Sequence, residues 1–334
     1  MYNNVYAAWN SFLENKVNLD PDIVKRARSS REFLVKQIDG FPEKAIDFPE
    51  IFKLENDVQM GSFSRRTKIR ELDDIDFLIV FAGKSSTYNE DYSYITIDVP
   101  ETATTLRKYC DNGKLNSRKI LSKIKSSLSL VPQYEYAVEN SLRWNKEAVT
   151  LKLKSYTWNF DIVPCFLTSN DVLGNSYYLI PDGNGNWKKT DPRIDAKRLT
   201  EINQRHDGDL LDIIRLIKYW NKRPTHPKMG SYLLENMAIN YFEYAPKITS
   251  QVFAFKNLLY NLETQVNSPC MDPKGIQGNL NGLSMDEKLK ISATARNAAD
   301  NATNAIKYGV DGDHKRAINE WRKVFGDGFP EYCN

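Results

Sequence analysis

The amino-acid sequence predicts an α+β protein, with a mixed sheet flanked by helices in its first part and helices alone in its second. Two apolar runs of strand length, Phe77–Phe81 and Trp158–Phe166, are typical of buried strands in the middle of a sheet. From Ile194 onward, by contrast, the pattern is helical almost throughout. This change of pattern places a domain boundary near Pro192.

Composition narrows the classes of function. The chain has 334 residues, 41% of them hydrophobic, which is enough for a full core in one or two domains. Its formal net charge is only +3, so it is not a general polyanion binder, although a local basic groove stays open. No segment approaches the apolar length needed to span a bilayer, and the N-terminus lacks a signal-peptide core, so we expect a cytoplasmic protein.

The cysteines indicate free thiols rather than a zinc site. They lie far apart, without a CxxC pair or a His/Cys cluster. A reducing compartment is the simplest expectation for such cysteines. The four are Cys110, Cys165, Cys270 and Cys333.

Helices and a strand are predicted before the first apolar run. The pattern predicts helices over Asn4–Glu14 and Pro21–Ile38, the second with proline in its first turn. Gly40 ends that helix, and Phe52–Met60 has the pattern of a strand. After Phe81, a stretch rich in Ser, Thr, Tyr and Asn is interpreted as a loop.

The segment around the first apolar run combines a Gly-Ser pair with two acids at strand spacing. Asp74 and Asp76 are two positions apart, so both side chains leave the same side of an extended strand. Two such carboxylates repel each other unless a cation neutralises them, and Mg²⁺ prefers hard oxygen ligands. Gly61 and Ser62 could bring main-chain amides and a hydroxyl against a phosphate. Without further observations, a solvated strand end remains the alternative for the two acids.

A helix and more strands are predicted downstream. The helix covers Leu115–Leu128, two strands cover Gln133–Val138 and Ala148–Lys154, and Gly183 to Gly185 form the turn of a hairpin that closes the sheet.

Asp161 is a lone acid in the otherwise apolar run WNFDIVPCF. Burying a carboxylate without a partner is costly, so a partner is expected. The metal held by Asp74 and Asp76 is one candidate, and an ion pair with a lysine such as Lys152 is the other.

The second half is predicted to be a set of helices, with Ser231 as an N-cap and Lys218 on a charged helix face. Their predicted ranges are Leu210–Arg223, Ser231–Tyr244, Ile248–Leu262, Met285–Ile306 and Asp313–Phe325.

These motifs, taken in order, resemble a known family. GSFSRRTKIRELDDIDFLIVF followed by WNFDIVPCF resembles the acidic pattern of the polymerase-β-type nucleotidyltransferases. More narrowly, YLIP…W…TDP, IRLIKYWNK, GSYLLE and the closing segment Trp321–Pro330 are similar to the bacterial cGAS/DncV-like nucleotidyltransferases, the CD-NTases of CBASS anti-phage operons. The resemblance runs from about Phe52 to Pro330. It implies a polymerase-β-like core in residues 1–192, a helical nucleotide-binding domain in residues 193–334, and an active site in the cleft between them.

The resemblance also implies a catalytic centre. Asp74, Asp76 and Asp161 would ligate two Mg²⁺ ions, with Mn²⁺ as an alternative metal. Gly61 and Ser62 would hold the donor triphosphate.

The helical domain would contribute to nucleotide binding. By the resemblance, Lys218 reaches the triphosphate, Ser231 binds phosphate, and Tyr232 stacks on a base. Without the family, Lys218 on an exposed helix face would be as well explained as a solvated charge, and Tyr232 as a core residue.

The implied activity is the Mg²⁺-dependent joining of NTPs, ATP among them, into a cyclic di- or trinucleotide messenger for anti-phage signalling. Two other functions stay open: a linear oligonucleotide synthase or a nucleotide transfer to another acceptor, and a catalytically silent nucleotide-binding module. The expected partners are CBASS regulatory proteins. Activation by nucleic acid is not favoured, and no membrane partner is expected.

Overall fold

The computed structural model describes residues 2–55, 57–131, 147–153 and 155–333, and the main chain of residues 142–145. The predicted strand Gln133–Val138 lies outside these residues. The chain packs as two compact units, which we call the sheet unit and the helical unit. The sheet unit comprises Asp22–Arg65 and Leu72–Arg193, and the helical unit comprises Met1–Pro21, Arg66–Glu71 and Ile194–Asn334.

Within the described residues, eleven strands form one mixed sheet. Their bounds are β1 Asp57–Gln59, β2 Asp74–Phe81, β3 Thr87–Glu90, β4 Ile95–Asp98, β5 Cys110–Asp111, β6 Lys114–Leu115, β7 Leu142–Asn145, β8 Ala148–Lys152, β9 Asn159–Leu167, β10 Tyr178–Pro181 and β11 Trp187–Thr190. The main order is β1-β2-β9-β10-β11-β4-β6-β5, with β3 beside β4 and β7 beside β8.

The longest strand, β9, is the hub of this sheet. It runs parallel to β2 over the full length of that strand, with Asp74 opposite Asn159 and Phe81 opposite Phe166. On β9, the first residues also pair with β8 and the last two with β10, both antiparallel. The predicted hairpin is confirmed, because β10 and β11 pair antiparallel around the turn that contains Gly183.

Two predictions about the first strands are wrong. The expected strand Phe52–Met60 is reduced to Asp57–Gln59, because the chain turns at Lys53 and at Leu54, which is 89% exposed. The expected loop after Phe81 contains the antiparallel pair β3 and β4 instead. Every residue of β3 is exposed, so this strand has none of the apolar alternation that marks a strand in a sequence.

The helices of the sheet unit are α2 Pro21–Asp39, whose first residue belongs to the helical unit, α3 Phe41–Lys44, α4 Gly61–Ser64, α5 Thr104–Arg107 and α6 Ser117–Leu128. Helix α2 begins with the predicted proline, and Arg31 on this helix pairs with Asp57 on β1. The same guanidinium lies 5.1 Å from the centroid of the Phe77 ring on β2. Buried residues of β1, β2, β8, β9 and β10 form a continuous apolar cluster that fixes the strands in register.

The helical unit confirms the predicted helices, with small shifts of their ends. Its helices are α1 Val5–Phe12, which continues into a π-helical turn over Leu13–Val17, α7 Pro192–Arg205, which starts in the sheet unit, α8 Asp209–Asn221, α9 Ser231–Tyr244, α10 Gln251–Gln265, α11 Met285–Val310 and α12 His314–Phe325. The prediction of Ser231 as an N-cap is wrong. Gly230 occupies the cap position, so Ser231 is the first residue of α9.

An aromatic cluster holds α1, α10 and α12 together. Trp9 and Phe12 lie 4.7 Å, between ring centroids, from Trp321 and Phe325 respectively, and Phe255 stacks on Phe325 at 5.0 Å. Trp321 and Phe325 are 1% and 2% exposed, so both are packing residues. This contact explains why the first 21 residues pack with the helical unit, whereas the sequence assigned them to a domain of residues 1–192. The functional domain boundaries stay a prediction.

The four cysteines are free thiols, as predicted. Burial raises the pKa of the Cys165 thiol, so this side chain behaves as an apolar core residue. A separate finding concerns membranes: over the residues that the structure describes, none of the helices is long and apolar enough to cross one.

Candidate active site

Three carboxylates meet on the central parallel pair of strands. Asp74 and Asp76 leave the same side of β2, and Asp161 on β9 lies directly beside Asp76 in the register. One carboxylate oxygen from each of the three lies within 4.8 Å of the others. All three side chains are half-buried. The structure therefore brings together the three acids that the sequence predicted.

Apolar packing positions these acids. On β2, Ile75 and Phe77 to Phe81 are buried, and on β9, Phe160 and Ile162 beside Asp161 are fully buried. The carboxylates lie at the start of this buried stretch, where the strands begin to pair. Buried strands are rigid, so they limit the freedom of the acidic side chains before any ligand binds.

Thr150 orients the third carboxylate. It lies opposite Asp161 in the β8–β9 pair, and its hydroxyl donates to Asp161 Oδ1 at 2.5 Å. No role for Thr150 was predicted from the sequence. The available signal was its position between the apolar Val149 and Leu151, which places it on the same polar side of the sheet as the acids.

Gly61 lies against the carboxylate of Asp76. Its φ of +75° is unfavourable for any other residue, and a Cβ at this position would lie 2.7 Å from Asp76 Cγ. The main chain is tied to the same strand, because the Met60 amide donates to the Asp76 carbonyl at 3.4 Å. The structure thus places Gly61 at the acidic cluster, and the half-buried Ser62 follows it in the sequence.

The donor set fits a hard divalent cation. Three like charges this close together repel one another, and partial burial strengthens the repulsion by lowering the local dielectric constant. All three donors are carboxylate oxygens, the ligand type of Mg²⁺ and Mn²⁺, and the cluster contains no His or Cys.

Lys218 lies in the helical unit. The sequence predicted it on an exposed, charged helix face, but it is buried. It is only 7% exposed, and its Nζ lies 2.8 Å from Glu235 Oε2 on α9. Thr67 completes this group, because its carbonyl accepts from Lys218 at 3.1 Å and its hydroxyl donates to Glu235 at 2.9 Å. Helix α8 is buried on nearly all sides. The spacing of its apolar residues could not show that Glu235 on α9 would pair with Lys218.

Ser231 and Tyr232 open α9, with Ser231 exposed and Tyr232 half-buried. The Tyr232 hydroxyl donates to Asp195 at 2.8 Å, and Lys274 Nζ lies 4.4 Å from the ring centroid. Burial, with a further contribution from Asp195, raises the pKa of the Tyr232 hydroxyl. The tyrosine is thus held in one orientation by polar partners as well as by packing.

Over the described residues, none of the histidines belongs to the acidic cluster. His206 is 2% exposed, and its ring nitrogens bond the Phe242 carbonyl and the Ile248 amide. Burial and the neighbouring Arg223 lower the pKa of His226 to about 4.

The chain is similar to a curated bacterial protein over its full length. A probable cyclic nucleotide synthase of Bacillus cereus (strain VD146) is 45% identical over 333 residues, which cover 99% of each chain. No protein-family model matches the chain.

Solved structures share the fold. The chain is similar to CdnC of E. coli MS115-1 in its complex with HORMA-deltaN, with a TM-score of 0.71 and 16% identity over 98% of this chain and 99% of that one. CdnC with ATP gives a TM-score of 0.68 and 18% identity over 97% and 98% of the two chains. Vibrio cholerae DncV, a cyclic AMP-GMP synthase described as a prokaryotic cGAS homolog, gives 0.68 and 11% over 98% and 97%. These similarities confirm the predicted α+β fold class with its sheet-containing core and helical C-terminal part.

Proposed function

The chain belongs to the bacterial cGAS/DncV-like nucleotidyltransferases, the CD-NTases, and we propose that it joins NTPs, ATP among them, into a cyclic di- or trinucleotide. The observation that carries this proposal is the acidic cluster of Asp74, Asp76 and Asp161, whose oxygens lie within 4.8 Å of one another. Gly61 supports it, because only a glycine lets the main chain approach these carboxylates so closely. The name of the Bacillus relative points to the same class of product.

We assign the three acids as ligands of two Mg²⁺ ions, with Mn²⁺ as an alternative. When bound, such ions neutralise the carboxylates and the negative charge of a triphosphate, and they lower the pKa of an acceptor hydroxyl. Thr150 would hold Asp161 in one orientation during this step, because its hydroxyl bonds Oδ1 of that carboxylate.

The proposed reaction exchanges one P–O bond for another. The ribose hydroxyl of one nucleotide attacks the α-phosphorus of a second, and a new O–P bond forms. The bond from that phosphorus to the bridging oxygen breaks, and pyrophosphate leaves with the electron pair. The carboxylate of Asp161 would act as the base that accepts the hydroxyl proton. The same exchange between the ends of the linear intermediate closes the ring.

The remaining assigned residues would bind the nucleotides. Gly61 and Ser62 would hold the donor triphosphate, and Ser231 a phosphate. Lys218 would have to share its charge between Glu235 and the triphosphate, since the two side chains form an ion pair. A base that stacks on Tyr232 would use the ring face opposite Lys274.

The same proposal covers the biological role. The product would act as an anti-phage messenger in the cytoplasm, and a regulatory protein would control synthesis. The support is the solved complex of CdnC with HORMA-deltaN, a protein of similar fold with a protein partner.

Product analysis tests the activity. The protein is incubated with Mg²⁺ and labelled ATP, GTP, CTP and UTP, singly and together, and the products are treated with phosphatase. We expect pyrophosphate release and a label that resists phosphatase, because a cyclic product has no terminal phosphate. A fully sensitive label would indicate a linear oligonucleotide synthase instead.

Two variants serve as controls. Asp74→Asn with Asp76→Asn removes two of the proposed ligands and should abolish pyrophosphate release, whereas Glu101→Gln, an exposed acid of the same unit, should leave it unchanged. Absence of pyrophosphate with every NTP mixture, with or without a candidate regulatory protein, would favour a silent nucleotide-binding module. Product formation by the double variant would overturn the site assignment.

A further inference from the structure

A cavity of about 460 Å³ opens on the helical unit and is lined by none of the residues assigned above. Its walls are the end of α8, the turn at Pro224 and Thr225 that follows, residues 69 and 70, and the loop Gly326–Gly328. All of these segments belong to the same compact unit. The volume lies in the range of about 300 to 1,000 Å³ that is usual for small-molecule sites.

The cavity carries a surplus of positive charge. Arg70, Lys222 and Arg223 line it, and within the described part of the chain no carboxylate forms an ion pair with any of them. The carboxylate that lines it, Asp327, lies 3.1 Å from Arg322 and is fully exposed to solvent. Arg322 also pairs with Glu331 at 3.1 Å, and the single carboxylate of Asp327 offsets only part of the charge of the three cations.

Arg223 is a half-buried cation held in place by the main chain. Its Nη1 donates to the carbonyls of Lys323 and Val324 at 2.6 and 2.7 Å, at the C-terminal end of α12. Burial lowers the pKa of Arg223, and the opposite effect of Asp327 and Tyr219, which raise this pKa, is smaller. An anion in the cavity would supply the countercharge that this guanidinium lacks.

Arg70 is held in a comparable way. Its Nε donates to the Asn18 carbonyl at 2.9 Å and its Nη2 to the Glu14 carbonyl at 3.2 Å. These bonds fix the plane of the guanidinium but add no negative charge. Two arginines are thus positioned before a ligand arrives, which reduces the entropy cost of binding.

Two glycines and a tyrosine also line the cavity. A Cβ at Gly326 would lie 3.2 Å from Arg223 Nε, and a Cβ at Gly328 would overlap the Tyr219 hydroxyl. Burial raises the pKa of Tyr219, so its hydroxyl stays protonated at neutral pH and can donate to an anion. Phe325 also lines the cavity, but it is only 2% exposed and belongs to the aromatic cluster of α12.

We propose that this cavity binds a phosphate-bearing small molecule of nucleotide size. Three cations around one space suit an anion with several charges, and the guanidinium groups suit phosphate oxygens. Inorganic polyphosphate and a nucleoside polyphosphate share this chemistry.

Calorimetric titration of the full-length protein in excess EDTA tests the proposal, since the chelator removes the metal that the acidic cluster requires. The two probes are sodium tripolyphosphate and ATP, at about 0.15 M salt to screen weak surface binding. We expect one saturable site for tripolyphosphate. Equal affinity for ATP would mean that the phosphates alone are recognised, whereas tighter binding of ATP would mean that the nucleoside also contributes.

Three variants test whether the heat of binding comes from the cavity. Lys222→Ala removes an exposed cation of the cavity and should weaken binding about fivefold, while Arg223→Gln should weaken it about tenfold or more. Lys315→Ala, an exposed lysine of the same unit outside the cavity, should bind like the wild type, and melting temperatures check that each variant is folded. The proposal is overturned by the absence of saturable binding, or by equal weakening in Lys315→Ala and Lys222→Ala. Because the titration measures binding and not turnover, neither result bears on the proposed synthase activity, which the product analysis tests.

Discussion

At the scale of single residues, the main chain at Gly61 and the carboxylate of Asp76 leave no room for a side chain between them. Both the positive φ and the close approach require glycine here. The pairing of a Gly-Ser dipeptide with a downstream acidic motif therefore has a direct steric cause. The acid can take its position only if the preceding turn has no Cβ.

Replacing Gly61 with alanine should displace Asp76. We expect the free energy of unfolding to fall by about 1–3 kcal/mol from backbone strain and overpacking, and pyrophosphate release to fall at least about tenfold because a proposed metal ligand moves. Melting temperature and steady-state kinetics measure the two effects. Gly83→Ala is the matched control, since a Cβ there meets nothing within 4 Å, and it should change neither quantity. Wild-type turnover in Gly61→Ala would contradict the proposed role of this contact.

Thr150 allows a second test at this scale. In Thr150→Val the shape is kept but Asp161 Oδ1 loses its donor, so we expect kcat to fall about tenfold while the fold is retained. Thr150→Ser keeps the hydroxyl and should recover most of the rate. An effect of packing alone would give the opposite order, with valine close to wild type and serine impaired.

The acids and Thr150 show what the sequence could predict at this scale. Asp74 and Asp76 were visible because strand alternation puts them on one side, and Asp161 because an acid interrupts an apolar run. The bond from Thr150 depends on the β8–β9 register, which a hydroxyl in a short strand does not reveal. Lys218 was misjudged for a related reason, since its partner Glu235 lies on another helix.

At the scale of elements, strands with a buried side were predicted and a strand without one was missed. β2 and β9 are apolar along most of their lengths, so their existence and type were clear from the sequence. β3 is exposed at every residue and carries no such signal. Tertiary pairing with β4, rather than the local pattern, makes it a strand.

The ion pair between Lys218 on α8 and Glu235 on α9 allows the structural role of Lys218 to be measured apart from its proposed role in binding. Lys218→Met removes the cation that pairs with the buried Glu235, which keeps the hydrogen bond from Thr67 but loses its countercharge, and should cost about 3–5 kcal/mol in the free energy of unfolding. Adding Glu235→Gln removes the buried negative charge and should restore most of the stability. Urea denaturation measures both variants. If the double variant is as unstable as the single one, the pair does not explain the loss.

The same double variant tests the assignment of Lys218 to the triphosphate. A lysine that contacts the substrate should show itself as a raised KM for NTP in the stable double variant. An unchanged KM would restrict Lys218 to its structural role.

At the scale of the whole molecule, the order of elements was largely predictable and the grouping of the N-terminus was not. Apolar spacing predicted α1, but not that Trp9 would join the aromatic cluster of α12. Such a contact between the two ends of the chain has no local signature. The boundary near Pro192 reflects the change from strands to helices, whereas the compact units follow packing.

Global stability should respond to the metal. A cation that binds only the folded chain raises the melting temperature by mass action, so we expect Mg²⁺ to stabilise the wild type and Mn²⁺ to do the same. Asp76→Asn should lose most of this shift because one of three charges is gone, while Glu101→Gln should keep it. Thermal unfolding with and without the ions measures the effect without any substrate. A shift of equal size in Asp76→Asn would place the ion elsewhere.

The parallel pairing of β2 with β9 has a consequence for biosynthesis. Asp76 and Asp161 are neighbours in space, but about half of the sheet unit is translated between them. A nascent chain that has not yet emerged as far as β9 holds only two of the three carboxylates, and pairing β9 with β2 must close the long loop between them at a cost in entropy. The acidic cluster is therefore complete only after these two strands have paired, so copies truncated before β9 would lack it.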